Sequence, residues 1–229
     1  MTEGMHSQQE IEKAVGREFR RLMPPGGKCL PFYAHRQRLM DVVRRSSVTL
    51  VVGHAGSGKS TQMIQYAADA GLGGSLQIVC TQPRKLAAMN LAKRVAEEWD
   101  GVAGTLGQAV GFKASGFHKA TPGVTRMKFV TNRVLLNEIL ADPLLTAYNV
   151  VIVDEAHERS IDMDILLGML KTTLQHRGPN FRIIVTSATV DEQLMSSYFG
   201  GCPVVKIPGR TYPVDVIYGK QEEDYAEAA

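Results

Sequence analysis

The chain has 229 residues, of which 44% are hydrophobic and 21% charged, with a net charge of +3 and three cysteines. This composition is typical of a globular protein and excludes a disordered chain, a collagen and a disulfide scaffold. Because Cys29, Cys80 and Cys202 are widely spaced and odd in number, they fit neither a disulfide framework nor a zinc site. A reducing compartment is expected.

The sequence has no feature of a membrane or secreted protein. It contains no run of about 18 apolar residues, and residues 1–13 lack the basic-then-apolar order of a signal peptide. We therefore expect an intracellular protein of the nucleus or cytoplasm with no membrane partner. The basic excess outside the acidic residues 221–229 permits a polyanionic partner, and a solvated mixed surface explains it equally well.

The first predicted element is an N-terminal helix. Ile11, Val15, Phe19 and Leu22 recur at a spacing that places them on one helical face, and Pro-Pro-Gly-Gly follows at 24–27. Residues 1–28 are therefore predicted to form a helix and a linker. The strands predicted after them are residues 48–52, 76–80, 128–131, 150–153 and 182–186, and the predicted helices are residues 59–70, 85–98, 133–140, 161–176 and 192–198.

The alternation of these strands and helices predicts the fold class. Strands that are apolar on consecutive residues are buried on both faces, and helices between them supply parallel crossovers. We predict an α/β fold with a doubly wound, mostly parallel sheet. Such sheets bind ligands at the carboxyl ends of their strands, so the functional residues are expected there.

The first predicted strand is followed by a phosphate-binding signature, GHAGSGKST at 53–61, which matches GxxxxGK[ST] between a strand and a helix. Glycines let backbone amides surround phosphate oxygens, Lys59 bridges the terminal phosphates, and the Ser60 hydroxyl suits a Mg²⁺ ligand. A glycine-rich turn without a ligand is the alternative interpretation. The predicted nucleotide-binding residues are Gly53, Gly56, Ser57, Gly58, Lys59, Ser60 and Thr61.

An acidic pair follows the strand at 150–153. Asp154 is predicted to hold Mg²⁺, usually through water, and Glu155 to orient and deprotonate the attacking water. His157 is expected either to have a structural role or to sense the state of the nucleotide. An acidic pair at a solvated strand end is the alternative, which the nearby phosphate-binding signature disfavours.

Six segments in order resemble the DEAH-box helicases of helicase superfamily two. They are 53–61 for motif I, 81–88 for motif Ia, Thr131 with Leu135-Leu136 for a degraded motif Ib, 154–159 for motif II, 187–189 for motif III and 208–214 for the segment before the second core domain. The resemblance covers about residues 30–218 and implies a RecA-like P-loop NTPase domain that binds ATP, or other nucleoside triphosphates, with Mg²⁺.

The resemblance also implies a division of labour between two domains. Residues 29–212 are expected to form the first RecA-like domain, and residues 213–229 to begin the connection to a second one of the same protein. Arginine fingers of the family lie in that second domain, and in related enzymes they raise the rate of hydrolysis about 10³- to 10⁵-fold. The chain alone is therefore expected to bind nucleotide weakly and to turn it over poorly.

Further site residues follow from the same resemblance. Arg36 matches an arginine that stacks on adenine, although a surface arginine paired with an acid is the alternative. Arg84 and Thr131 are expected to contact nucleic-acid phosphates, while a solvated arginine and a helix cap are their simpler roles. Ser187, Ala188 and Thr189 are expected to bond toward Asp154 and His157 and to couple phosphate state to domain movement.

The chain departs from the family at 54–55, 111–117 and 132–133, which affects the expected strand contacts more than nucleotide binding. Lys113, His118 and Lys119 offer substitute charges, or form a basic mobile loop. The leading hypothesis is the first motor domain of an ATP-dependent RNA helicase, with single-stranded RNA rather than DNA and an activator protein as the expected partners. The alternative is an RNA-binding or scaffold module that has lost unwinding.

Overall fold

The computed structural model of the protein describes residues 11–20, 30–189 and 191–209. Several sequence-based expectations concern residues outside this part of the chain: Leu22, the turn at 24–27, most of the 208–214 segment and the connection expected at 213–229. Among the described helices, none combines the length and apolar character needed to cross a bilayer.

Eight strands and eight α-helices make up the described part of the chain. The helices are α1 (residues 11–20), α2 (Pro31–Ala34), α3 (Arg36–Arg45), α4 (Lys59–Asp69), α5 (Lys85–Asp100), α6 (Asn132–Ala141), α7 (Ile161–His176) and α8 (Glu192–Tyr198), with a 3-10 turn at Ala156–Glu158. The strands are β1 (Val48–Gly53), β2 (Gln77–Gln82), β3 (Val110–Ala114), β4 (Phe117–Lys119), β5 (Met127–Thr131), β6 (Tyr148–Val153), β7 (Arg182–Ser187) and β8 (Val204–Ile207).

The strands form one sheet in the order β4-β3-β5-β2-β6-β7-β1-β8. All pairs are parallel except β3 with β4, which form an antiparallel hairpin at one edge. Helices α2 to α5 pack on one face of the sheet, and α6 to α8 pack on the other, each over its own hydrophobic core. This arrangement confirms the predicted α/β, doubly wound, mostly parallel RecA-like fold.

The sequence-based elements differ from the observed ones in two respects. Helices α2 and α3 and strands β3, β4 and β8 were not among the predicted elements. Helix α2 and strands β4 and β8 have only three or four residues, too few for a clear periodicity, whereas α3 has ten residues and a buried apolar face that the sequence-based prediction missed. Strand β2 begins one residue later than expected and extends two residues further, through Thr81 and Gln82. That extension brings Gln82 to the carboxyl edge of the sheet, beside Asp154.

Residues 11–20 are helical, as their spacing predicts, and α1 packs on the domain through its polar side. Arg17 lies 3.4 Å from a carboxylate oxygen of Asp69, and its guanidinium is 4.1 Å from the ring centroid of Trp99. The apolar side chains on the opposite side are mostly exposed: Ile11 61%, Val15 64% and Phe19 63%. Charge pairing rather than apolar burial therefore holds α1 on the domain.

Candidate nucleotide-binding site

The loop between β1 and α4 has the backbone that phosphate binding needs. Gly56 and Gly58 have φ angles of 75° and 100°, a region that side chains with a Cβ rarely adopt. The Ser57 amide donates to the carbonyl of His54 across the turn, at 3.2 Å. Helix α4 then begins at Lys59, so its free N-terminal amides point toward the loop.

The side chains of the loop fit a bound phosphate group. The Lys59 ammonium is buried and donates to the backbone carbonyls of Gly53 and His54. Burial lowers the pKa of Lys59, although the charges of Glu155 and Asp154 oppose that shift. Within the described part of the chain, the buried hydroxyl of Ser57 has no hydrogen-bond partner. A buried ammonium and a buried hydroxyl without a partner are the donors that phosphate oxygens would satisfy.

Asp154 follows β6 and is held from both sides. Gln82, at the end of β2, donates its side-chain amide to Oδ2 of Asp154 at 2.7 Å. The hydroxyl of Thr186, near the end of β7, donates to Oδ1. Since β2 and β7 are the two strands that flank β6, the sheet itself brings these partners to the carboxylate. Each oxygen keeps a further lone pair for a metal ion or its water.

The site suits Mg²⁺ that is bound mainly by phosphate and water. In the described residues, no group of three or more His, Cys, Asp or Glu side chains could hold a metal ion. Mg²⁺ in nucleotide-binding sites is usually held by one or two protein ligands and by substrate oxygens. Ser60, on the first turn of α4, and Asp154 match that donor set.

Glu155 has an unusual backbone and a shifted acidity. Its φ of 56° and ψ of 42° place it in the left-handed region, which is strained for a residue with a Cβ. Burial, followed by the charge of Asp154, raises the pKa of the Glu155 carboxyl, while His157 and Lys59 oppose the shift. A carboxylate with a raised pKa is a stronger proton acceptor than an exposed one.

The last residue of β7 and the residue after it contact His157, as expected for the segment at 187–189. The Ser187 hydroxyl and the Ala188 amide each lie 3.4 Å from Nδ1 of His157, and the Ser187 hydroxyl also donates to the carbonyl of Thr189. His157 Nδ1 lies 3.4 Å from a carboxylate oxygen of Glu155 as well. The contact to Asp154 comes from Thr186, one residue earlier than the sequence motif suggests.

Arg36 lies at the start of α3, in a cavity of about 440 Å³. Its guanidinium lies 2.7 Å from Glu18 and 3.6 Å from Asp69, and its carbon is 5.2 Å from the ring centroid of Tyr66. These contacts match the acid-paired alternative that the sequence leaves open. Stacking of Arg36 on adenine stays a prediction. In that arrangement the flat face of the guanidinium would lie against the base, while Glu18 contacts the edge of the guanidinium.

A second arginine, absent from the sequence-based expectations, lies near the phosphate-binding helix. Arg94 on α5 is exposed and lies 2.6 Å from Glu98. Glu98 in turn accepts hydrogen bonds from Gln62 at 2.9 Å and Gln65 at 2.8 Å, both on α4. The exposed guanidinium of Arg94 is therefore anchored beside the helix that follows the phosphate-binding loop.

The two residues expected to contact RNA phosphates lie on neighbouring strand ends. Gln82 and Thr131 are paired in the β2–β5 register, and Arg84 follows Gln82 by two residues. The Arg84 side chain is 78% exposed and lies 3.7 Å from Glu158. Thr131 caps α6 by accepting from the amide of Val134 at 3.4 Å, as predicted. Both side chains are at the carboxyl edge of the sheet.

The hairpin of β3 and β4 carries only part of the expected free charge. Lys113 is bound to Glu138 at 2.9 Å, so its ammonium has a protein partner. His118 and Lys119 are exposed on β4. Phe117, also exposed, lies under the ammonium of Lys85, which is 4.2 Å from the ring centroid. The hairpin thus adds an aromatic ring and several cations to the edge that carries Arg84.

Comparison with known proteins gives the same assignment as the motifs. The family model described as DEAD/DEAH box helicase matches residues 33–197. The chain is 46% identical over 202 residues to the pre-mRNA-splicing factor ATP-dependent RNA helicase prp22 of Schizosaccharomyces pombe (strain 972 / ATCC 24843). That alignment covers 87% of this chain and 17% of the relative, so the chain spans about a sixth of the relative's length.

Proposed function

The chain belongs to the DEAD/DEAH box helicase family, and from this premise we propose that it is the ATP-binding first motor domain of an ATP-dependent RNA helicase. The observation that carries the proposal is the convergence of Lys59, Asp154, Glu155 and His157 at one edge of the sheet. A buried cation and a pair of carboxylates suit nucleotide hydrolysis, and the histidine connects this centre to Ser187.

Each residue has a distinct role in the proposed reaction. Lys59 and the amides of the loop bind the terminal phosphates and neutralise their charge. Ser60 and Asp154 would hold Mg²⁺, which supplies charge stabilisation to the transferring phosphoryl group when bound. Glu155 orients the attacking water and accepts its proton, a task that its raised pKa favours. His157 links this centre to Ser187 and Ala188.

Single-stranded RNA is the proposed polymer substrate, with Arg84 and Thr131 on its backbone. Contacts of this kind bind phosphates and hydroxyls and carry little sequence information. The relative is described as a pre-mRNA-splicing factor, which supports RNA over DNA and a nuclear location. A second RecA-like domain of the same protein is proposed to complete the ATP site, so that hydrolysis is weak without it, and an activator protein is a further proposed partner.

A non-unwinding RNA-binding or scaffold module is the second candidate function. The altered hairpin at 111–117 and the Asn132-Arg133 pair favour it, since Arg133 is already paired with Asp162 at 2.9 Å. The complete set of Lys59, Asp154 and Glu155 opposes it, because a scaffold has no need for a water-activating carboxylate.

The test is the ATPase rate with and without single-stranded RNA, for this chain and for a longer form that continues past residue 229. We expect RNA to stimulate turnover in the longer form and the chain alone to be slow. Nucleotide binding with no RNA stimulation in either protein would contradict the helicase proposal and favour the scaffold.

A further inference from the structure

Gln82 links the proposed RNA-binding segment to the carboxylate proposed to hold Mg²⁺. Its amide nitrogen donates to Asp154 at 2.7 Å, and the two residues are 2% and 0% exposed. A hydrogen bond to a buried carboxylate is among the stronger ones in proteins, because water cannot replace it. The position of Asp154 therefore depends on the position of the end of β2.

The same segment touches the acidic loop a second time. Arg84, two residues after Gln82, lies 3.7 Å from Glu158, four residues after Asp154. Pro83 joins the two contacts, and its ring fixes one of the backbone angles between them. The backbone between Gln82 and Arg84 is therefore short and restricted in conformation.

We propose that Gln82 is a positioning residue that couples RNA binding at Arg84 to the orientation of Asp154. The inference rests on the proposed function, since it needs RNA at Arg84 and nucleotide with Mg²⁺ at Asp154. An RNA phosphate competes with Glu158 for the exposed guanidinium of Arg84, because the present ion pair is long and largely exposed. The resulting shift of the strand end alters how Gln82 aims Asp154.

The other partner of Asp154 provides a contrast. Thr186 donates to Oδ1 from β7, on the side of β6 away from β2. Arg84 follows β2, and Thr131 is the last residue of β5, so no short stretch of backbone connects either residue to Thr186. Loss of Thr186 should weaken the Mg²⁺ site without removing its response to RNA.

The experiment measures a coupling factor in the full-length protein. The affinity for a fluorescent, non-hydrolysable ATP analogue with Mg²⁺ is determined with and without a single-stranded oligouridylate, and the ratio of the two affinities is the factor. Coupling factors between linked sites are commonly about 5- to 150-fold. We expect a factor in this range for the unaltered protein and a factor of about one for Gln82→Met, which keeps the volume but lacks the donor.

Gln65→Met is the matched control. Gln65 is also a buried glutamine that donates to a carboxylate, in its case Glu98 at 2.8 Å, away from Asp154. Both substitutions remove a hydrogen bond of the same kind, so a loss that reflects stability alone would appear in both. Thr186→Val is expected to lower nucleotide affinity while keeping the factor, and Gln82→Asn, with a shorter amide, serves if Gln82→Met does not fold.

The outcomes separate this inference from the proposed function. A factor near one in Gln82→Met with an unaltered factor in Gln65→Met supports the positioning role. An unchanged factor in Gln82→Met, or an equal loss in Gln65→Met, overturns it while the helicase proposal stands. If the unaltered protein binds neither RNA nor nucleotide, the proposed function fails and the inference fails with it. Binding of both with a factor near one in the unaltered protein overturns the inference alone.

Discussion

At the scale of single residues, Lys59 and Glu155 belong to one site but perform different tasks. Lys59 is buried among backbone carbonyls and is proposed to bind phosphate, whereas Glu155 is half-buried and is proposed to act on water. We expect Lys59→Ala to weaken binding of ATP with Mg²⁺ about tenfold or more, because charged hydrogen bonds are lost. Glu155→Gln should keep binding and lower turnover by about 10² to 10⁴.

Equilibrium binding of a fluorescent nucleotide and steady-state turnover separate the two effects. Lys206→Ala is a suitable control, since Lys206 is exposed and pairs with Glu192 at 2.9 Å, a pair of little energetic weight. Equal loss of binding in Lys59→Ala and Glu155→Gln would contradict the roles assigned to them.

Two arginines, Arg36 and Arg94, are candidates for contact with the adenine base. If its guanidinium stacks on adenine, Arg36→Ala should lower ATP affinity about two- to fivefold, as cation–π contacts at exposed sites do. Arg94→Ala tests the second arginine, which is held beside α4 through Glu98. Isothermal titration measures the affinity of each variant for ATP and for inorganic triphosphate, which lacks a base, and so shows which of the two arginines contacts the base. A base-dependent loss in Arg94→Ala alone would assign the stacking to α5.

At the scale of elements, a charge network ties the hairpin to helix α6. Glu138 on α6 accepts from Lys113 on β3 and from Lys128 on β5, at 2.9 and 3.0 Å. The hydroxyl of Tyr148 on β6 donates to Glu138 at 2.6 Å and accepts from Lys128 at 2.8 Å. Four elements therefore meet at one carboxylate, beside the start of β6.

Removal of that carboxylate should destabilise the fold. Glu138→Ala leaves the buried ammonium of Lys128 without its anion, and we expect a loss of about 2–4 kcal/mol in the free energy of unfolding. Urea denaturation measures the change, with Glu192→Ala on the exposed pair to Lys206 as the control of small effect. A loss below about 1 kcal/mol would mean that the network contributes little to stability.

The acidity of Glu138 gives the same network a pH dependence. Burial acts to raise the pKa of Glu138, but hydrogen bonds from Tyr148 and Lys113 and the charge of Lys128 outweigh it and hold the pKa below its usual range. A carboxyl with a lowered pKa in the folded state stabilises the protein above its ordinary pKa. That contribution is lost as the pH falls through the lowered value, so the stability difference between the protein and Glu138→Ala should shrink in acid.

At the scale of the whole molecule, the sheet order decides which motifs meet. Strand β6 lies between β2 and β7, so Asp154 is flanked by Gln82 and Thr186, which are far away in sequence. Strand β1 lies on the far side of β7 from β6, and its loop brings Lys59 near the acidic pair, close enough for the carboxylates to act on its pKa. These residues of the proposed ATP site therefore lie at the one edge of the sheet where these strands end.

The sequence by itself determined the α/β class, and it located the glycine-rich loop at 53–61 and the acidic pair of Asp154 and Glu155. These features rest on local patterns: apolar runs that form buried strands, glycines that turn a loop, and short motifs of fixed spacing. Each pattern lies within about ten residues, so the chain needs no distant contact to display it.

Only the tertiary structure shows which side chains form hydrogen bonds or ion pairs with the proposed site residues. Glu18 pairs with Arg36, Gln82 and Thr186 hold Asp154, and Lys113 is bound by Glu138 rather than free for RNA. Such pairs depend on strand order, register and helix docking, which arise from packing over the whole sheet. Local spacing contains no information on them, because residues that meet across neighbouring strands are separated by dozens of positions along the chain.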